Sequence, residues 1–327
     1  MVSIYPIGGS SVAEYCGALI RGDHRYHRLE EPGRWFGWGA KLLGLNRIVT
    51  LDSLSNLMKG LAPSGGVALI GEAGSLQRQA GWRIVFSTPP SVSTLWALAP
   101  NRGRQKLEQG QRMAAEISLQ TFHDALANGT AANEIRKNRV FLSATFQNRV
   151  SHSGNPELRI EAVVFNLALR PGLPAEPLQS KGLFQARREA QQIYRSCLRE
   201  HCESQLGLVL QRQPDSFRII GVPTDLCREF SMKVDPASVG ALDLKSNKLF
   251  SGWDLFESWS TRAEQFQWGP RQAKSLLDYC AKQQKRNTAF LANGHRHEHH
   301  ARESDGSFSR CSSTHTCSKS NGQQHSR

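Results

Sequence analysis

The 327-residue sequence lacks any apolar run long enough to cross a bilayer, which excludes a membrane-embedded protein. It has no G-x-x-x-x-G-K-[ST] string, so it contains no P-loop and is not an ATP-driven motor. Its seven cysteines (Cys16, Cys197, Cys202, Cys227, Cys280, Cys311 and Cys317) form no C-x-x-C pair, and an odd number cannot close a disulfide framework. Reduced thiols in a cytoplasm are expected. The opening MVSIYPIGGSS has no charged segment followed by an apolar stretch, so no secretory signal is read there. Acidic residues are scarce: 28 Asp and Glu face 41 Lys and Arg, for a net charge of +13. Residues 287–327 hold five basic and three acidic groups, so the remainder still carries +11. A folded body with that field attracts polyanions, nucleic acid first and an anionic membrane surface second.

With 39% hydrophobic residues the chain can bury a sizeable core. Periodicity and turn signals predict helices over 11–21, 51–61, 91–98, 103–127, 183–206, 223–233 and 253–286, the last broken at Gly269 and Pro270. Strands are expected over 139–147 and 158–169, with a short one at Val85 and Phe86 and a hairpin over 208–222. The fold class read from this order is α+β: a central, mostly antiparallel sheet with helices segregated to one side. Residues 1–286 form one domain. The remainder, 287–327, is rich in Ser, Asn, Gln and Gly and holds six of the eleven histidines; it reads as a disordered tail without assigned function. Strand alternation places Arg159, Glu161, Val163 and Phe165 on one face, and Ile160, Ala162 and Val164 on the other.

Several strings occur in a telling order: MVSIYPI, the Tyr15 neighbourhood, EPGRWFGWGAKLLGL at 31–45, FSTPPSVSTLWAL at 86–98, SATFQ at 143–147, PELRIEAVVFNL at 156–167, and FRIIGVP through REFSMK at 217–233. Together they resemble the relaxase domain of the MobF (TrwC/TraI-type) conjugative relaxases over roughly residues 1–285. The resemblance implies a sheet-centred fold that nicks plasmid DNA at a transfer origin. In that family a tyrosine attacks a phosphodiester and is left as a 5′-phosphotyrosine, three histidines hold a divalent metal such as Mg or Mn on the scissile phosphate, and a carboxylate assists the tyrosine. A phenol is a weak nucleophile near neutral pH and the transition state spreads negative charge, so the chemistry needs all three parts. By the same resemblance Tyr15 and Tyr26 are the candidate nucleophiles, each a singlet rather than one of a pair. The implied partners are single-stranded or transfer-origin DNA and conjugation accessory proteins.

The remaining catalytic positions depart from the family pattern. Arg159 and Glu161 stand where a histidine pair is expected, Asn148 where the third ligand is expected, and Arg83 where the carboxylate is expected. Arginine does not ligate metal and one carboxylate is too few, so no metal site, no cofactor and no metal-dependent nicking are expected. Arg83, Arg159 and Glu161 sum to about +1, the charge of a divalent ion beside one carboxylate. This predicts an Arg/Glu cluster able to grip a DNA phosphate, with Arg83, Arg149 and Arg159 as the DNA-binding residues. Three alternatives stay open: a plain salt bridge with Tyr15 packed in the Val12–Leu19 stripe, an active relaxase with an unconventional activator, and a module or decayed frame that touches no nucleic acid. Trp35 is expected to pack a loop, Trp38 is left open between packing and base stacking, and His24 and His27 read as a solvated loop.

Overall fold

Strand Pro156–Phe165 is buried along nearly its whole length, including residues that point to opposite faces, and this sets the architecture. A strand apolar on both sides must lie between two packed layers. The computed structural model describes residues 1–21, 31–128, 139–151, 153–178, 180–232 and 252–286. It places this strand, β5, at the centre of a five-stranded sheet with β1 (Val2–Gly8), β2 (Arg34–Phe36), β3 (Gln79–Ser87) and β4 (Ser143–Val150). The order is β1-β3-β5-β4-β2, and every neighbouring pair is antiparallel.

On one face, Trp82, Ile84, Phe86, Ile160, Ala162 and Val164 meet the long helices α5 (Asn101–Asn128) and α6 (Ser180–Leu206), together with α4 (Pro90–Leu98) and α7 (Thr224–Ser231). On the other, Ala144, Phe146, Val163 and Phe165 meet Val12 and Cys16 of α1 (Val12–Arg21) and, past the short α2 (Trp38–Leu42), Leu54, Leu57 and Met58 of α3 (Leu51–Met58). The expectation of helices on one side only is therefore corrected. The shorter α1 and α3 cover the second face, because β5 has apolar residues to bury there as well. α3 begins where Thr50 caps it, its hydroxyl accepting the Ser53 N–H at 3.3 Å. α5 and α6 approach closely at Gly110, where an added Cβ would lie 2.2 Å from the His201 ring.

The predicted strand at Val85 and Phe86 is in fact the nine-residue β3. Gly81 concealed its extent, and it is glycine because a Cβ there would lie 2.4 Å from the Val164 carbonyl oxygen. The strand expected over 158–169 ends at Phe165 and resumes as β6 (Ala168–Arg170), which pairs with β7 (Leu173–Glu176). The predicted hairpin is present as β8 (Leu210–Gln213) and β9 (Ser216–Ile219), and the last helix is broken at 265–269, giving Gly252–Glu264 and 270–286. At the margin of the sheet, Val2 donates its N–H to Gln191 Oε1 at 3.4 Å and accepts from Arg187 Nε at 3.1 Å, both from α6. The compact unit is Met1–Ala281. No described helix is long and apolar enough to cross a membrane.

Candidate functional site around Tyr15 and Glu161

α1 anchors itself on Val12 and Cys16, which are 2% and 0% exposed, and this turns the neighbouring Tyr15 along the sheet rather than into the core. Its hydroxyl donates to Glu161 Oε1 at 2.9 Å. Glu161 belongs to β5, lies opposite Val85 of β3 and Phe146 of β4, and is buried. Arg83 sits on the same face of β3, two residues from Val85, with its Nε 3.6 Å from the same carboxylate oxygen. That separation is an ion pair without a hydrogen bond, and the buried Nε has no other acceptor. The guanidinium also lies over the ring of Tyr5, its partner across β1, at 4.9 Å.

This arrangement fixes the protonation of the phenol. Burial raises the Tyr15 pKa far above its ordinary value, the Glu161 charge and hydrogen bond raise it further, and Arg83 offsets only part of this. Tyr15 is therefore a neutral phenol at physiological pH, its hydroxyl donating a hydrogen bond to the Glu161 carboxylate.

Arg159 and Glu161 do share the face predicted from alternation, since Arg159 lies opposite Ser87 and Asn148 and Glu161 opposite Val85 and Phe146. The three-residue cluster is nevertheless corrected. Arg159 Nη1 turns to Glu157 Oε2 at 2.5 Å, leaving Arg83, Glu161 and Tyr15 as the joined group. These residues do not fit a divalent metal. The one carboxylate is already shared between a phenol and a guanidinium, and among the described residues no three His, Cys, Asp or Glu gather as a ligand set.

Arg149 points to the opposite face, toward α5. It is buried, with Nε and Nη2 each 2.8 Å from a Glu108 oxygen and Nη2 also 2.8 Å from Glu31 Oε1. The expectation that it is a surface contact for DNA is thus corrected: its guanidinium is committed to internal carboxylates. Glu108 also accepts from Trp96 Nε1 at 2.8 Å, while Glu31 also receives Arg34 at 3.3 Å and Arg112 at 3.0 Å. Sequence reading missed this network, because its members come from four separate segments with no shared spacing. Trp35 packs as expected, its ring 5.8 Å from Phe165 and its Nε1 donating to the Ile48 carbonyl. Trp38 is 66% exposed with Lys41 Nζ 4.3 Å from its ring centroid. Tyr26, His24 and His27, and the tail from 287 onward, lie outside the described residues.

The family model for the TrwC relaxase matches residues 10–235, which include α1, the whole of β3, β4 and β5, and the Glu31 network. The chain belongs to the TrwC relaxase family. Among curated proteins, this family member is similar to the multifunctional conjugation protein TraI of Escherichia coli (strain K12), 29% identical over 152 residues. That match takes in 45% of the chain but 8% of TraI, so the chain corresponds to a small part of the relative's length. Among solved structures, it is similar to the conjugative relaxase TrwC in its metal-bound complex with oriT DNA, at 19% identity and a TM-score of 0.62, covering 82% of this chain and 99% of that one. TrwC complexed with a 27-mer DNA comprising the recognition hairpin and the cleavage site gives 18% identity over the same shares, with a TM-score of 0.62. At such identity the likeness establishes the shared relaxase fold.

Proposed function

We propose that this member of the TrwC relaxase family is a cytoplasmic DNA-binding protein that engages single-stranded or transfer-origin DNA and lacks metal-dependent nicking. The observation that carries the reading is the group Tyr15–Glu161–Arg83: a carboxylate buried beneath the phenol, paired with a guanidinium that has an unmet buried donor. A phosphate oxygen is the acceptor that Arg83 lacks, and Arg159, on the same face, supplies a second contact by exchanging Glu157 for the backbone. The net charge of +13 supplies the attraction, and the oriT DNA complexes of structural neighbours support the ligand class.

The Tyr15 to Glu161 hydrogen bond also favours a second reading, a metal-independent transesterase. Here Glu161 takes the phenol proton as the tyrosine oxygen bonds to phosphorus and the bond to the 3′-oxygen breaks, that oxygen being protonated by solvent. Incubation with single-stranded transfer-origin oligonucleotides, with and without Mn²⁺ or Mg²⁺, separates the two. Retardation without a covalent adduct supports DNA binding alone. An adduct abolished by Tyr15→Phe establishes the transesterase, and neither signal refutes both.

A further inference from the structure

The Glu31 network lies on the α5 side of the sheet, away from Tyr15. Three guanidinium groups, from β2 (Arg34), α5 (Arg112) and β4 (Arg149), converge on the carboxylate of Glu31, a residue of an irregular segment whose side chain is 36% exposed. A planar anion held by several arginines is the contact set that also recognises a phosphodiester. Glu116 of α5 also lies in the field of Arg34, Arg47 and Arg112.

The anchoring of the members is unequal. Arg149 is fixed by two bonds to Glu108 and is 9% exposed in its side chain, so it cannot follow Glu31 outward. Arg34 and Arg112 are 39% and 28% exposed and are within reach of a ligand. Glu31, Arg34 and Arg112 line a small open depression together with Thr145 and Gln147. Gln147 is buried and donates both amide protons, to Gln111 Oε1 and to the Arg159 carbonyl.

We propose that Glu31 is a built-in occupant of a second backbone-phosphate site formed by Arg34 and Arg112, with Arg149 held behind it, and that Glu31 is displaced when a nucleic-acid phosphodiester enters. The inference rests on the DNA-binding reading above but concerns a different face of the sheet. Glu31 keeps the arginines aligned while the protein is free, and weakens binding by the competition it offers.

The test uses the full chain, a fluorescein-labelled oligothymidylate and anisotropy over a range of salt. Glu31→Gln is compared with Asp215→Asn, which removes the same charge from an exposed turn. Glu31→Gln should tighten binding by about tenfold at low salt relative to Asp215→Asn. Equal affinities for the two variants overturn the proposal. A measurement on the unmodified protein guards against misfolding of the variant: arginine-selective dicarbonyl labelling read by mass spectrometry, with and without the oligonucleotide. Protection of Arg34 and Arg112 supports the site. Protection confined to Arg83 and Arg159 overturns it while leaving DNA binding intact, and an absence of any retardation or protection removes the DNA-binding reading itself.

Discussion

Replacing Arg149 by alanine tests the network most severely. The side chain is 9% exposed and its partner Glu108 is 14% exposed, so the pair exchanges water for protein almost completely. Truncation deletes both bonds to Glu108 and the one to Glu31, leaving Glu108 with Trp96 Nε1 and Glu31 with Arg34 and Arg112. Breaking a buried ion pair on one side costs about 3–5 kcal/mol, because the remaining charge stays buried, whereas an exposed pair is worth about 1 kcal/mol or less. The lower end is expected, since the tryptophan N–H still serves Glu108. The assay is urea unfolding, with a fall in midpoint and an unchanged slope. Pairing Arg149→Ala with Glu108→Gln should recover part of the loss, as neighbours in one network are not additive. A cost under about 1 kcal/mol would refute the argument and return Arg149 to the solvent-facing role its sequence position first suggested.

Other expectations are as direct. Arg83→Ala and Arg159→Ala should each weaken single-stranded DNA binding and flatten the dependence on log salt by about 0.7, measured by anisotropy; unchanged slopes would remove both from the interface. Because the Tyr15 pKa is raised in the folded state, its contribution is fully present below about pH 10, the unfolded value, and is lost as pH rises above it. Unmodified protein should therefore destabilise more steeply than Tyr15→Phe above that pH, while at neutral pH the variant should be less stable by about 1.5–3 kcal/mol for the lost bond to a charged acceptor. Burial lowers the His123 pKa to about 4, and its Nε2 is 2.9 Å from Ser143 Oγ. The unfolded chain then binds a proton that the folded one refuses, so stability falls as pH drops from about 6.5 toward 4, by about 3 kcal/mol, and His123→Gln should lose this acid limb. Gly37→Ala should lower the thermal midpoint, since φ is +94° and a Cβ would lie 2.6 Å from the Phe141 carbonyl oxygen.

The sheet face at Glu161 was legible because alternation is a local property: once 156–165 is a strand, Arg159 and Glu161 must share a side. What the side chains then do was not legible. Arg159 prefers Glu157, two residues away on its own strand, and Tyr15 reaches Glu161 across 146 residues of sequence. The long helices, the final hairpin and the break before Pro270 carry strong local signals and emerged close to their expected bounds. β1 and β2 do not. The first alternates weakly and the second is three residues long, so both owe their existence to neighbours already in place. Arg149 shows the same limit, as a charge in a strand reads identically whether it meets solvent or a buried glutamate.

The outermost strand has a further consequence. Peptide groups along a bare sheet border invite a foreign chain to zip on, yet here Arg187 and Gln191 of the helix reach over and occupy the main chain of Val2. The opposite border is only Arg34–Phe36. Strand addition is therefore blocked at Val2 on one border and confined to three residues on the other.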